Sequence, residues 1–268
     1  MIKSNFHTHT IFCDGKNTAE EMLLSAIDKG FSAIGFSGHS QIESSFWSMT
    51  KEKEIEYFKE IARLKEKYQD KIKVFCGLEQ DVVSPPLMYP YDYVIGSKHY
   101  VKVNGEYYGI DSSKDSCRKF ISELFDGSFE KYAKVYYDDL VNVVSVTKAD
   151  VIGHVDLITK FCEVDNIALT DEYYRYAEDA VKQLCKTGKP FEINTGAMGR
   201  GYRTSPYPDE KLLKIIFEQG ANIMINSDCH EKSKIDYGFE MAENLAKEIG
   251  FTKRAIITDT GVEYVDLW

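Results

Sequence analysis

The chain has 268 residues, of which 43% are hydrophobic and 28% charged, with a formal charge of −10. This composition suits a soluble globular protein with a sizeable core; the length fits one large domain or two small ones, and a single domain over residues 1–268 is expected. The acidic balance argues against a broad nucleic-acid footprint, while the lack of an export signal or of about eighteen uninterrupted apolar residues argues against secretion and membrane spanning.

In chain order, strands are predicted at residues 2–6, 33–37, 73–78, 93–96, 150–153, 191–194, 222–226 and 254–257. Helices are predicted at 19–29, 53–68, 131–148, 171–186, 209–219 and 238–249. Thr18 before Glu20-Glu21, and Pro208-Asp209-Glu210 before an apolar run, mark helix starts; Gly30, Gly188, Gly220 and Gly250 mark helix ends. Strands alternating with helices predict a parallel sheet covered by helices, and seven or eight units without a linker favour a closed barrel. One stretch breaks this rhythm. HYVKVNGEYYGID places Asn104-Gly105 between apolar and aromatic positions, a hairpin signal immediately after His99.

All six histidines, His7, His9, His39, His99, His154 and His230, fall at or just beyond the C-terminal end of a predicted strand. Residues i and i+2 of a strand share a face, so His7 and His9 can converge, as can Asp228 and His230 in NSDCH. In a barrel such strand ends gather on one rim, where active sites lie. Imidazole with carboxylate is a ligand set for zinc, manganese or iron. Glu79 and Asp81 in GLEQD also share a face, and spacing does not choose between them. Asp14 sits in a turn five residues past His9, a place equally suited to an Asx turn. Six scattered cysteines without a CxxC pair (Cys13, Cys76, Cys117, Cys162, Cys185 and Cys229) are expected to be reduced thiols in a cytoplasmic protein. Cys13 and Cys229 neighbour candidate ligands but are out of phase with them.

HTHTIFCDG, GFSGHS, GLEQD, GSKHY, IGHVDL and NSDCH occur in this order between residues 7 and 230. This set resembles the motifs of the polymerase and histidinol phosphatase (PHP) superfamily, and the opening resembles its histidinol-phosphatase branch. The resemblance implies an α/β fold, a distorted (β/α) barrel of about seven parallel strands with a metal site at the C-terminal rim. It also implies two to three divalent ions. His7, His9, Glu79 and Asp228 would hold one; Glu79 would bridge to a second, completed by His99 and His154; Asp14, His39 and His230 would hold the third. Other superfamily members carry histidine where this chain has Asp14. The implied reaction is hydrolysis of L-histidinol phosphate to L-histidinol and phosphate in histidine biosynthesis, with Asp14, Asp228 and His230 beside the reacting atoms.

Three divalent ions with three carboxylates and a hydroxide leave a local charge of about +2, which overrides the acidic exterior at contact range. A metal-bound hydroxide would then be the nucleophile. No GxSxG elbow supports a serine hydrolase. Phosphate needs further donors, and NTGAMGRGYR offers Gly196, Gly199 and Gly201 with Arg200 and Arg203; Lys160 is another candidate. Spacing does not identify what reads the imidazole and amine, although Glu43, Tyr107 and Tyr108 lie in rim segments. The expected partner is a small-molecule phosphate ester, not nucleic acid or membrane, with the oligomeric state left open. The alternative, a PHP-type phosphoesterase acting on nucleotides or nucleic acid, calls for a basic channel with stacking aromatics, and no Lys/Arg run supplies one.

Overall fold

The computed structural model describes residues 3–43 and 45–267; Ile2, the first residue of the first predicted strand, lies outside them. From the N-terminus, β1 (Ser4–Asn5) is followed by α1 (Ala19–Asp28), β2 (Ala33–Phe36), α2 (Lys51–Lys67), β3 (Lys73–Asp81) and β4 (Tyr93–Ser97). The hairpin β5 (Tyr100–Val103) and β6 (Glu106–Gly109) comes next, then α3 (Lys114–Leu124), α4 (Phe129–Leu140), α5 (Val143–Thr147) and β7 (Val151–Ile152). Beyond it lie α6 (Cys162–Asp165), α7 (Asp171–Cys185), β8 (Phe191–Asn194), α8 (Gly196–Gly199), α9 (Glu210–Glu218) and β9 (Ile223–Asn226). The chain continues through α10 (Phe239–Ile249) to β10 (Lys253–Thr258) and β11 (Gly261–Asp266).

Strands β1, β2, β3, β4, β7, β8 and β9 pair in that order, every pair parallel. A parallel bridge between Thr8 and Cys229, with the His9 N–H donating to the Cys229 carbonyl at 3.0 Å, joins the first strand to the last. The result is a nearly closed (β/α) barrel ringed by helices. Local chemistry sets the element ends. The Thr18 hydroxyl accepts from the Glu21 N–H while the Glu21 carboxylate accepts from the Thr18 N–H, a capping box that starts α1. In α7, Tyr173, Ala177, Ala180, Val181 and Leu184 form the buried stripe of an amphipathic helix. Asn104 and Gly105 take φ of 52° and 90°, which turns β5 back into β6.

Inside the barrel, toward the N-terminal ends of its strands, Phe6, Phe75, Tyr93, Ile95, Val151 and Met224 form an apolar plug. The Tyr93 hydroxyl donates to the Phe6 carbonyl at 2.5 Å. Its ring occupies space that Gly35 and Gly77 leave open, since a Cβ at either position would come within 2.3 Å of Tyr93.

Several elements differ from the sequence expectation; α6, α8 and β11 have no predicted counterpart. The predicted strand at 254–257 is extended, but β10 pairs antiparallel with β11 and not with the barrel wall. The wall is already closed by β1 and β9, so Ala255, Ile256 and Ile257 pack onto the plug instead. The predicted helix at 131–148 divides into α4 and α5 around Val141 and Asn142. Helix α3 was not expected because only Cys117, Phe120 and Ile121 of its residues are buried, too few to make a periodic signal.

Candidate metal centre

The C-terminal strand ends bring His7, His9, Asp14, His39, Glu79, His99, His154, Asp228 and His230 together. Glu79, in the seventh position of β3, lies at the centre. Its Oε2 is 3.3 Å from His7 Nε2, 3.6 Å from His9 Nε2 and 2.7 Å from His39 Nδ1. Its Oε1 is 2.9 Å from His154 Nε2 and 3.5 Å from His99 Nε2. Asp228 Oδ1 stands 3.1 Å from His9 Nε2 and 3.7 Å from His7 Nε2. Asp14 approaches His39 at 3.6 Å and His230 at 3.2 Å. Asp228 is held in the left-handed backbone region at φ 45°, and Gly196 faces it so closely that a Cβ there would lie 2.8 Å from its carboxylate.

These donors fit divalent metal. Tetrahedral zinc with bonds of roughly 2.0–2.2 Å spaces its ligand atoms about 3.4 Å apart, close to most of the separations above. Their atoms fall into overlapping groups: His9, Asp14, His39 and His230; His7, His9 and Glu79; His7, His154 and Asp228; and His39, Glu79 and His99. Glu79 serves two of these groups, as a bridging carboxylate would. His7 Nε2, His9 Nε2 and Glu79 Oε2 are buried without hydrogen-bond partners, the signature of polar atoms reserved for an ion.

A further layer of carboxylates orients the rings. Glu192 Oε1 meets His7 Nδ1 at 2.6 Å and accepts from the Asn226 amide at 2.9 Å, while Glu192 Oε2 accepts from the Asn194 amide at 2.8 Å. Asp81 Oδ2 meets His99 Nδ1 at 2.9 Å and accepts from the His99 N–H at 2.8 Å. The two acids that spacing could not separate therefore differ: Glu79 reaches the ligand atoms, and Asp81 grips a ring from behind. Sequence reading passed over Glu192, whose signal was a lone acid within the apolar strand FEIN.

Burial opposes ionisation of Glu79 and Asp228, yet histidines around Glu79, and Arg200 with His7 beside Asp228, hold both carboxyls well below their usual range. Burial would also lower His7, but Glu192, Glu79 and Asp228 raise it. Burial together with His230 and His39 pushes His9 down to about 3, so that ring stays neutral and able to ligate. Burial and a neighbouring aspartate push the Cys13 thiol up to about 12, and Cys229 is likewise raised to about 12. Neither is a thiolate.

A cavity of about 580 Å³ opens over the centre. Arg200 lines it, donating to Asp228 Oδ2 at 3.2 Å and lying 3.0 Å from His230 Nδ1. Lys160 also lines it, bound to Asp111 at 3.0 Å. Arg203 does not. It is buried, bonded to the Thr159 hydroxyl, 3.7 Å from Asp156 and stacked on Tyr207, so it fastens the segment rather than facing a ligand. The glycines beside it form α8 and a turn, with the N–H groups of Gly196, Gly199 and Gly201 already bonded to Asn194 Oδ1, Thr195 O and Met198 O; they offer no backbone cradle. Tyr107 is exposed and Tyr108 stacks on Phe120, while Glu43 is solvated. The aromatics that reach the cavity are Phe46, which is 94% exposed, Trp47, edge-on to His39 at 4.5 Å between centroids, Tyr202 and Tyr237.

Comparison with known proteins places this geometry. A Schizosaccharomyces pombe protein named "Probable histidinol-phosphatase" is 25% identical over 96% of this chain and 89% of its own length. The histidinol-phosphatase of Bacillus subtilis is 24% identical over 90% of this chain and 98% of its own. The crystal structure of histidinol phosphate phosphatase from Lactococcus lactis, complexed with zinc, L-histidinol and phosphate, superposes with a TM-score of 0.75 at 22% identity, covering 97% of this chain and 98% of that one. The PHP domain model matches residues 5–196, which hold seven of the nine converging side chains, and on that match the chain belongs to the PHP domain family.

Proposed function

We propose that this protein hydrolyses L-histidinol phosphate to L-histidinol and phosphate, using two to three divalent ions held by the nine converging residues. The observation that carries this reading is a bridging acid, Glu79, beneath a cavity whose walls also present Arg200 and Lys160. The full-length relatives named histidinol-phosphatase support the choice of substrate, and the Lactococcus lactis complex supports zinc. The nine residues would hold divalent ions that, when bound, would supply Lewis acidity toward the phosphoryl oxygens and activation of a water. Arg200 and Lys160 bind phosphoryl oxygens by charge-assisted hydrogen bonds. Asp14, Asp228 and His230 line both the metal centre and the cavity, so they stand beside the reacting water and the leaving alcohol. Residues 1–268 act as one domain, since the ligands span positions 7 to 230.

A nucleic-acid substrate is disfavoured because the chain carries a formal charge of −10 and no Lys/Arg run that would build a basic channel. Among the described residues no helix is long and apolar enough to cross a membrane. Six free cysteines support a cytoplasmic setting. The test assays metal-replete protein against L-histidinol phosphate, nucleoside monophosphates and sugar phosphates, with metal content measured on the same sample. Histidinol phosphate should be preferred strongly in kcat/KM. A preference for nucleotides overturns the substrate assignment, and a metal-free yet active sample overturns the cluster.

A further inference from the structure

We propose that Asp111 makes the site selective for phosphate esters of vicinal amino alcohols, by accepting the substrate's ammonium group when Lys160 turns to the phosphate. The inference rests on the phosphomonoesterase reading of the metal centre.

Four acids line the cavity. Asp14 and Asp228 belong to the converging ligands, and Glu231 sits at the rim, paired with the exposed Lys16. Asp111, two residues beyond β6, is the remaining one, and it stands against Lys160 inside. Lys160 Nζ holds two acceptors of that residue, the carboxylate at 3.0 Å and the backbone carbonyl at 2.9 Å. Burial would raise the Asp111 carboxyl, but Lys160 and His99 hold it down at about 2, so it is charged at any working pH.

A phosphate dianion entering above the ions attracts Lys160, which can turn toward it while keeping the Asp111 carbonyl. The Asp111 carboxylate then has a vacant acceptor beside a dianion. A neutral alcohol leaves that repulsion uncompensated. In the phosphate ester of a vicinal amino alcohol, only two carbons and the ester oxygen separate nitrogen from phosphorus. Its ammonium therefore falls next to the phosphate, where a carboxylate in contact with a phosphate-binding lysine can receive it. Selectivity arises from attraction to the right leaving group and from a misplaced negative charge against the wrong one.

The test compares L-histidinol phosphate with its desamino analogue, 3-(imidazol-4-yl)propyl phosphate, and O-phosphoethanolamine with ethyl phosphate. In the metal-replete wild type each amino ester should be favoured at least about tenfold in kcat/KM. In Asp111→Asn that ratio should collapse toward unity, because any change in Lys160 affects both members of a pair alike, and Asp111→Glu should restore part of it. Calorimetric titration of the product L-histidinol gives a readout independent of turnover, with binding weakened about tenfold in Asp111→Asn. A wild type indifferent to the amine, or an Asp111→Asn variant that keeps the full ratio, overturns the proposal. Preference for phosphoethanolamine without turnover of histidinol phosphate would retain the Asp111 role while removing the histidinol assignment.

Discussion

The two ends of the barrel interior are built by the same strands and obey opposite rules. In β3, Phe75, Gly77, Glu79 and Asp81 share one face; the first pair belongs with the apolar plug and the second pair with the metal centre. The β9 segment repeats the division, with Met224 in the plug and Asp228 and His230 beyond the strand's end at the rim. At the N-terminal end the Tyr93 hydroxyl has its acceptor. At the C-terminal end, buried donors and acceptors are left facing one another without partners. Stability and chemistry are thus separated along the strand axis, and a substitution's position along a strand determines which it damages.

The sharpest test of this separation pairs a substitution at each end. Asp228→Ala should lower kcat by orders of magnitude and reduce bound metal in elemental analysis, while the denaturation midpoint of the metal-free protein changes little. Phe75→Ala should instead cost about 3–5 kcal/mol in denaturant unfolding, with the folded fraction keeping near wild-type kcat. If Asp228→Ala unfolds the protein, or Phe75→Ala silences folded enzyme, the division fails. A smaller effect is expected behind the ligands. Glu192→Gln should weaken metal retention or activity roughly 10–100-fold, read by competition with a chelator, and an effect below twofold would assign the orientation of His7 elsewhere. Least of all should Cys229→Ala matter. Its sulfur lies 3.9 Å from the Asn5 amide and stays protonated, so activity should remain within several-fold. Metal loss in that variant would make sulfur a ligand.

Much of this division was legible in the sequence, for a physical reason. Ligands on parallel strands must sit at strand ends and share a face, so HxH, DxH and their recurrence after apolar runs survive in one dimension. The barrel and its hairpin were legible likewise, through alternation and Asn104-Gly105. Interactions fixed by side-chain direction were not. Arg200 and Arg203 look equivalent in GRGYR, yet the turn after α8 sends one into the cavity and the other under Tyr207. Strand 254–257 has the apolar character of a wall strand, and nothing local records that closure between β1 and β9 leaves it no place there. Asp111 carries no motif at all; its importance comes from Lys160, 49 positions later.

The bridge from Thr8 to Cys229 also sets a timetable. His9 and Asp228, on either side of that closure, stand 3.1 Å apart although 219 positions separate them in the chain. During synthesis, which proceeds at roughly 5–20 residues per second, the first histidines emerge long before the aspartate that completes their group. Contacts of such sequence separation form late because loop closure precedes any reward. An ion retained in the full set of ligands would therefore report that the last wall strand has docked against the first.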